Sequence, residues 1–283
     1  MSRGWHEGVR ARPRTPSRCA GELPVDLQSR LTLNNGTAIP LLGLGTWQIA
    51  NGGPAAAAVV DALRIGYRHI DTASIYGNEE DIGEGIRRSG TPREHVWVTT
   101  KLWNDDQPRA RPAFERSLAR LGLEYVDLYL VHWPSSALVT RTWRAMEDLC
   151  ADGRCRAIGV SNHSVDQLTE ILRVARIPPA VNQIQFSPFG FDQALADFCR
   201  EHEIAVEAYS PLTKGRQLSD RGVLEIAQAY RRSPAQILIR WALQKGTIVL
   251  PKSAQPTHME ENARVFDFEI TTEDMRRLDL LSV

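Results

Sequence analysis

Two kinds of segment alternate along most of this chain. From Leu31 onward, short continuous apolar runs end in polar or turn residues at LLGLG (41–45), RHID (68–71), VWVTTK (96–101), YVDLYLVHW (125–133), RAIGVSN (156–162), AVNQIQF (180–186), IAVEAYS (204–210) and TIVLPKS (247–253). Continuous runs of this kind suit parallel strands covered on both faces. Between them the apolar positions change to helical spacing. RPAFERSLARLG puts Phe114, Leu118 and Leu121 on one face ahead of Gly122, and TWRAMEDLCADG does the same with Trp143, Met146, Leu149 and Cys150 ahead of Gly153. SPAQILIRWALQKG opens with a capping box from Ser233 to Gln236, has Pro234 at its first helical position and stops at Gly246.

Eight such alternations predict an α/β chain folded as a (β/α)8 TIM barrel. LTLNNGTAIP, ahead of and running into the first of these runs, reads as a β-hairpin turning at Asn34-Asn35-Gly36 and closing the bottom of the barrel. A Rossmann domain is the natural rival, but it needs G-x-G-x-x-G between a strand and a helix. The nearest stretch, Gly43-Leu44-Gly45-Thr46-Trp47-Gln48, lacks the last glycine and has no helix starting there.

Composition narrows this only a little. A chain of 283 residues, 42% hydrophobic and 24% charged, is ordinary globular material able to bury a full core. Lys+Arg and Asp+Glu are equal at 34 each, so no nucleic-acid or membrane-surface partner is implied. Cys19, Cys150, Cys155 and Cys199 form no CxxC pair and no metal-ligand spacing with histidines, so they read as reduced residues of a cytoplasmic protein with no metal. Residues 1–30 are arginine-rich and acid-poor but lack the apolar centre of a secretory signal. They are expected to form a loosely ordered extension, or to reflect a start-site artefact, with the barrel domain spanning 31–283.

In a barrel the chemistry sits where the strands end. Those ends supply Asp71, Lys101 and His132 in order, with Tyr76 in the loop just past Asp71. Taken singly, each has an ordinary reading: a solvated strand end, a surface cation, a packed histidine and a loop anchor. Together they converge on one rim, and their chemistry is complementary. A phenol with a pKa of about 10 protonates an alkoxide at neutral pH only if its anion is stabilised. A nearby lysine does that, an aspartate keeps the lysine charged and aimed, and a histidine orients a carbonyl. Such a set protonates an oxygen that has just gained electrons, and a nicotinamide hydride is the simplest electron source.

From about Leu31 to Leu281 the chain resembles the aldo-keto reductase superfamily, most closely its bacterial diketogluconate reductase-type members. The motifs G-Y-R-H-I-D-T-A-x-x-Y-G-N-E, T-K-L-W-N, D-L-Y-L-V-H-W-P, G-V-S-N, N-Q-I-Q, Y-S-P-L and P-K-S carry the resemblance, in family order. It implies reduction of aldehydes, ketones or keto-sugars by NADPH in a monomer whose partner is a small carbonyl substrate, while His258 is expected to narrow the preference and leave appreciable NADH use. Tyr76 would be the proton donor, Lys101 its partner, Asp71 the lysine-orienting acid and His132 the carbonyl-orienting residue. Ser161, Asn162 and Gln183 would hold the nicotinamide carboxamide, Tyr209 would stack on the ring, and Ser210 and Leu212 would contact the pyrophosphate. Lys252 and Ser253 would take the 2′-phosphate, and Glu261 and Asn262 the adenine. Thr46 and Trp47 would also touch the cofactor, and Trp47, Tyr76, Trp103, His132 and Trp133 the substrate. Trp97, Trp143 and Trp241 lie inside strand or helix patterns and belong to the core.

One position departs from the family pattern. Where NADPH-preferring relatives carry an arginine five residues beyond the serine of P-K-S, this chain has His258. Arginine is always charged and binds phosphate through a two-pronged fork; histidine offers neither property dependably. Two other readings use the same residues. One is an NADPH-sensing module with little turnover, and the other is a barrel aldolase or isomerase with Lys101 as its Schiff-base lysine.

Overall fold

The computed structural model describes residues 26–135 and 139–282. Two short antiparallel strands, β1 (Arg30–Thr32) and β2 (Ala38–Pro40), form the hairpin. Its turn contains Gly36 at φ +83°, a left-handed conformation that suits glycine. Eight parallel strands follow: β3 (Leu44–Gly45), β4 (His69–Asp71), β5 (Trp97–Leu102), β6 (Val126–Val131), β7 (Cys155–Ser161), β8 (Val181–Gln185), β9 (Ala205–Tyr209) and β10 (Ile248–Leu250). Each pairs with its sequence neighbour. The first and last meet through parallel bridges at Leu42–Val249 and Gly45–Lys252, so the sheet closes into a (β/α)8 barrel.

All eight apolar runs identified in the sequence hold one barrel strand each, and the helices expected between them form. The helix Pro234–Gln244 carries the predicted capping box, and Ala110–Leu121 ends at Gly122 in the left-handed conformation. Two further helices, Arg221–Tyr230 and Thr272–Asp279, stand outside the simple alternation. Trp97, Trp143 and Trp241 are buried. No helix among the described residues is long and apolar enough to cross a membrane.

Of the arginine-rich start, residues 1–25 lie outside the described residues. Asp26–Ser29 forms a turn that runs into β1, and Gln28 Nε2 donates to the Gly66 carbonyl at 3.0 Å.

Strand side chains alternate between the barrel interior and the helix layer. The bottom of the interior is apolar: Trp97, Leu128, Leu130, Ala157, Val181 and Ile248 pack there with Leu33 and Ile39 of the hairpin. Asn34 and Asn35 tie the hairpin to the strand bottoms through the carbonyls of Pro179 and Arg156, both at 2.9 Å. The hairpin therefore plugs the bottom, as the sequence predicts. Polar side chains are also buried on the barrel strands: His69, Thr99 and Glu207 are wholly buried. At the top the interior carries Asp71, Lys101, Gln183 and Tyr209.

Candidate active site

The register of β4 on β5 sets Asp71 beside Thr99, which brings the Lys101 side chain over the aspartate. Lys101 is 1% exposed, and its Nζ lies 2.8 Å from both Asp71 carboxylate oxygens and 2.8 Å from the Thr72 carbonyl. A buried ammonium is tolerated only with partners of this quality. Tyr76 ends the short turn Ser74–Tyr76, and its hydroxyl stands 3.4 Å from Lys101 Nζ. The His132 ring sits edge-on to Tyr76 at 5.7 Å between centroids and to Trp103 at 5.3 Å. All four predicted catalytic residues meet in one cluster.

Their protonation follows from this packing. Burial alone pulls Lys101 down, but Asp71, Tyr76 and Glu207 outweigh it and leave its pKa raised. A Schiff-base lysine needs the opposite shift, so the aldolase reading loses its support. Burial also depresses His132 to about 3, helped by the Lys101 charge, so a neutral imidazole faces the site at neutral pH. Tyr76 departs from the sequence-based expectation. Lys101 does pull the phenol down, but burial, with Asp71 and Glu207 behind it, pushes harder and the net shift is upward. Tyr76 accordingly keeps its proton at neutral pH, which is the state a proton donor requires.

The predicted cofactor residues form a second network beside the first. Ser161 and Gln183 are register partners on β7 and β8, and Ser161 Oγ donates to the Gln183 carbonyl at 2.8 Å. Asn162 follows in the left-handed region at φ +62°, donating to the His132 carbonyl at 3.1 Å and accepting from the Tyr209 hydroxyl at 2.8 Å. That bond pins the half-buried Tyr209 ring in place. Gln183 Nε2 donates to Asp71 Oδ2 at 2.9 Å, and its carbonyl oxygen takes no protein donor among the described residues.

Beyond β9 the loop is wound through left-handed residues at Ser210, Thr213 and Lys214, with Leu212 half-buried between them. Lys214 Nζ lies 4.6 Å over the Trp47 ring. Thr46 is fully buried, and its hydroxyl already donates to the Asp71 carbonyl at 2.8 Å, so its contribution is to fix the aspartate's backbone. In the segment after β10, which bridges to Gly45 at Lys252, Lys252 and His258 are exposed, Ser253 and Asn262 are buried and Glu261 is half-buried. Trp47 and Trp133 are 40% and 43% exposed, and Ile75, unremarked in the sequence, is 48% exposed beside Tyr76.

Sequence reasoning also passed over residues that build this site from behind. Asn78 accepts from the Thr72 hydroxyl at 2.8 Å and donates to the Thr46 carbonyl at 3.1 Å, locking the Tyr76 loop to the first strand's end. Glu79, 1% exposed, binds Thr100 Oγ1 at 2.6 Å and Arg120 Nε at 2.7 Å, bracing β5. His69 and Glu207 lie wholly inside the barrel. The signal for Glu207 was present: an acid in the middle of IAVEAYS cannot be a strand-end residue.

The family model for the aldo/keto reductase family matches residues 41–282. This chain belongs to the aldo/keto reductase family. The reductase is 45% identical over 262 residues to the glyoxal reductase of Bacillus subtilis, covering 92% of this chain and 95% of that protein. It is 47% identical over 257 residues to the 9,11-endoperoxide prostaglandin H2 reductase of Trypanosoma cruzi, covering 89% and 91%. Among solved structures, an aldo/keto reductase from Brucella melitensis superposes with a TM-score of 0.86 at 44% identity, covering 89% of this chain and 99% of the other. A Bombyx mori aldo-keto reductase, solved in complex with NADP, gives 0.83 at 35% identity over 89% and 92%.

Proposed function

We propose that this aldo/keto reductase reduces aldehydes, ketones or keto-sugars to alcohols with NADPH. The observation that carries the reading is Lys101 Nζ, held by the Asp71 carboxylate at 2.8 Å and facing the Tyr76 hydroxyl at 3.4 Å, with a neutral His132 alongside. A substrate carbonyl oxygen accepts hydrogen bonds from Tyr76 and His132. As the oxygen becomes an alkoxide, Tyr76 gives up its proton, and the Lys101 charge stabilises the phenolate left behind. Asp71 keeps that charge in place.

NADPH supplies the hydride. The residues present fit it: a half-buried aromatic ring pinned by its own hydroxyl, and an amide whose carbonyl is free while its N–H groups are taken. Ser161, Asn162 and Gln183 would hold the carboxamide, with Tyr209 against the ring. Ser210 and Leu212 would meet the pyrophosphate, Lys252 and Ser253 the 2′-phosphate, and Glu261 and Asn262 the adenine. The exposed, apolar mouth formed by Trp47, Ile75 and Trp133 favours several carbonyl substrates over one.

A screen of NADPH oxidation against aldehydes, diketones and keto-sugars tests the activity. Glyoxal belongs in it because a relative bears that name, and keto-sugars because of the diketogluconate resemblance. Carbonyl-dependent oxidation yielding the alcohol is expected; none across the panel, with cofactor bound, sinks the reading.

His258 bears on cofactor choice. It is exposed on the helix Pro256–Ala263, beyond Lys252 and Ser253. His258→Arg should add a charge-assisted hydrogen bond to the 2′-phosphate, worth roughly 1.5–3 kcal/mol, and so tighten NADPH about ten- to a hundredfold. NADH affinity should stay nearly constant. Quenching of tryptophan fluorescence reads both affinities, and equal effects on the two cofactors would show that residue 258 does not face the phosphate.

A further inference from the structure

Below the catalytic rim, the interior of the barrel holds a second carboxylate that the reaction as described does not use. Glu207 points inward from β9, is wholly buried, and pairs in register with Gln183 on one side and Ile248 on the other. Its Oε2 accepts from Gln183 Nε2 at 2.5 Å, and the same nitrogen donates to Asp71 Oδ2 at 2.9 Å. An amide nitrogen carries two hydrogens. Both are therefore engaged, one by Asp71 and one by Glu207, and Gln183 Oε1 is the atom left over.

The other oxygen of Glu207 faces His69 Nε2 at 3.6 Å, and that nitrogen also meets Thr99 Oγ1 at 3.1 Å. The His69 ring packs on Gly43, where an added Cβ would stand 2.8 Å from its Nδ1, so the first strand leaves the room the imidazole fills. Burial, and then the neighbouring Asp71, push Glu207 up to about 8, while burial holds His69 down at about 3. Burial favours the neutral form of both groups. The groups facing Glu207 are thus Gln183 on β8, His69 and Asp71 on β4, and Lys101 on β5.

We propose that Glu207 is a positioning residue: by taking the second Gln183 amide hydrogen it fixes the side chain with Oε1 turned to the site, ready to accept from the carboxamide N–H of a nicotinamide. Without Glu207 that hydrogen would be buried and unpaired, a state proteins avoid, and the side chain would turn to satisfy it. The inference rests on the nicotinamide reading of the site given above.

Binding alone tests it. NADP+ is compared with an analogue in which an acetyl group replaces the carboxamide, retaining the carbonyl but losing the N–H donors. Tryptophan quenching gives each affinity. The unmodified protein should prefer NADP+ by about tenfold, the worth of one hydrogen bond. Glu207→Met, of similar length but without an acceptor, should bring the preference to about twofold or less, mainly by weakening NADP+. Glu207→Gln keeps an acceptor for Gln183 and should retain the full preference.

A folded Glu207→Met variant that discriminates like the parent overturns the proposal, as does a parent that binds both dinucleotides equally. If the methionine variant does not fold, Glu207→Gln decides: lost discrimination in that folded variant also overturns it. A parent protein that binds neither dinucleotide would instead remove the nicotinamide reading itself.

Discussion

Tyr76→Phe is expected to lower carbonyl reduction by about 10²–10⁴-fold, the usual worth of a general acid. The protein should fold and bind NADPH as before. The reason lies in Lys101, whose ammonium keeps three partners at 2.8 Å, the two Asp71 oxygens and the Thr72 carbonyl, after the phenol oxygen is gone. The hydroxyl's contact with it is the longest of the set, at 3.4 Å. The ring, half-buried and edge-on to His132, stays in place. Stability should change by no more than about 1 kcal/mol. Steady-state rates on the best carbonyl substrate, with cofactor affinity measured separately, make the comparison. Near-parental turnover would remove Tyr76 from the proton-donor role, and parallel loss of cofactor affinity would mean that the variant had disturbed more than the proton.

Lys101→Met should have consequences of two kinds. Reduction should fall by at least about 10²-fold, because the developing phenolate loses its counter-charge. The second effect is a pH signature. Tyr76 must be protonated to act, so the reduction rate falls as pH rises through its pKa. Lys101 pulls that pKa down. Removing the charge should move the alkaline limb of the residual activity to higher pH, and a limb that stays put would make Lys101 a bystander. The variant should also be less stable, by about 3–5 kcal/mol, since a buried Asp71 is left without its ion partner. Asp71→Asn added to Lys101→Met should restore much of that stability and none of the activity. Thermal unfolding of the single and double variants separates the two effects.

The barrel was legible because its strands are continuous apolar runs punctuated by polar residues, and the punctuation is the chemistry. Asp71 and His132 come where apolar runs stop, and Lys101 sits one residue inside the end of β5. What the pattern hid lies within the runs. His69 reads as part of RHID and Glu207 as an interruption of IAVEAYS, yet both are wholly buried and face each other, with Glu207 paired to Gln183. Only closing the sheet brings His69, Thr99, Gln183 and Glu207, from β4, β5, β8 and β9, into one polar group. Thr46 fell in a loop beside a cofactor-like motif, and its hydroxyl turns out to hold the Asp71 backbone. The direction of the Tyr76 shift was equally beyond the sequence, because it depends on how far burial outweighs one lysine, a balance of distances rather than of residue types.

The seam of the barrel has a consequence for how a newly made chain becomes active. β3 and β10 join through Gly43 N to the Val249 carbonyl at 3.0 Å, Val249 N to the Leu41 carbonyl at 2.8 Å, and Gly45 N to the Pro251 carbonyl at 3.1 Å. These partners lie near opposite ends of translation. Until β10 leaves the ribosome, β3 and β9 are open edges able to pair with another chain. The same late segment brings Lys252 and Ser253 beside Gly45 and Thr46, the neighbours that hold the Asp71 backbone. A growing chain that already contains all four catalytic side chains therefore still has no closed ring to hold them, and protection from misassembly and readiness for catalysis arrive with the same strand.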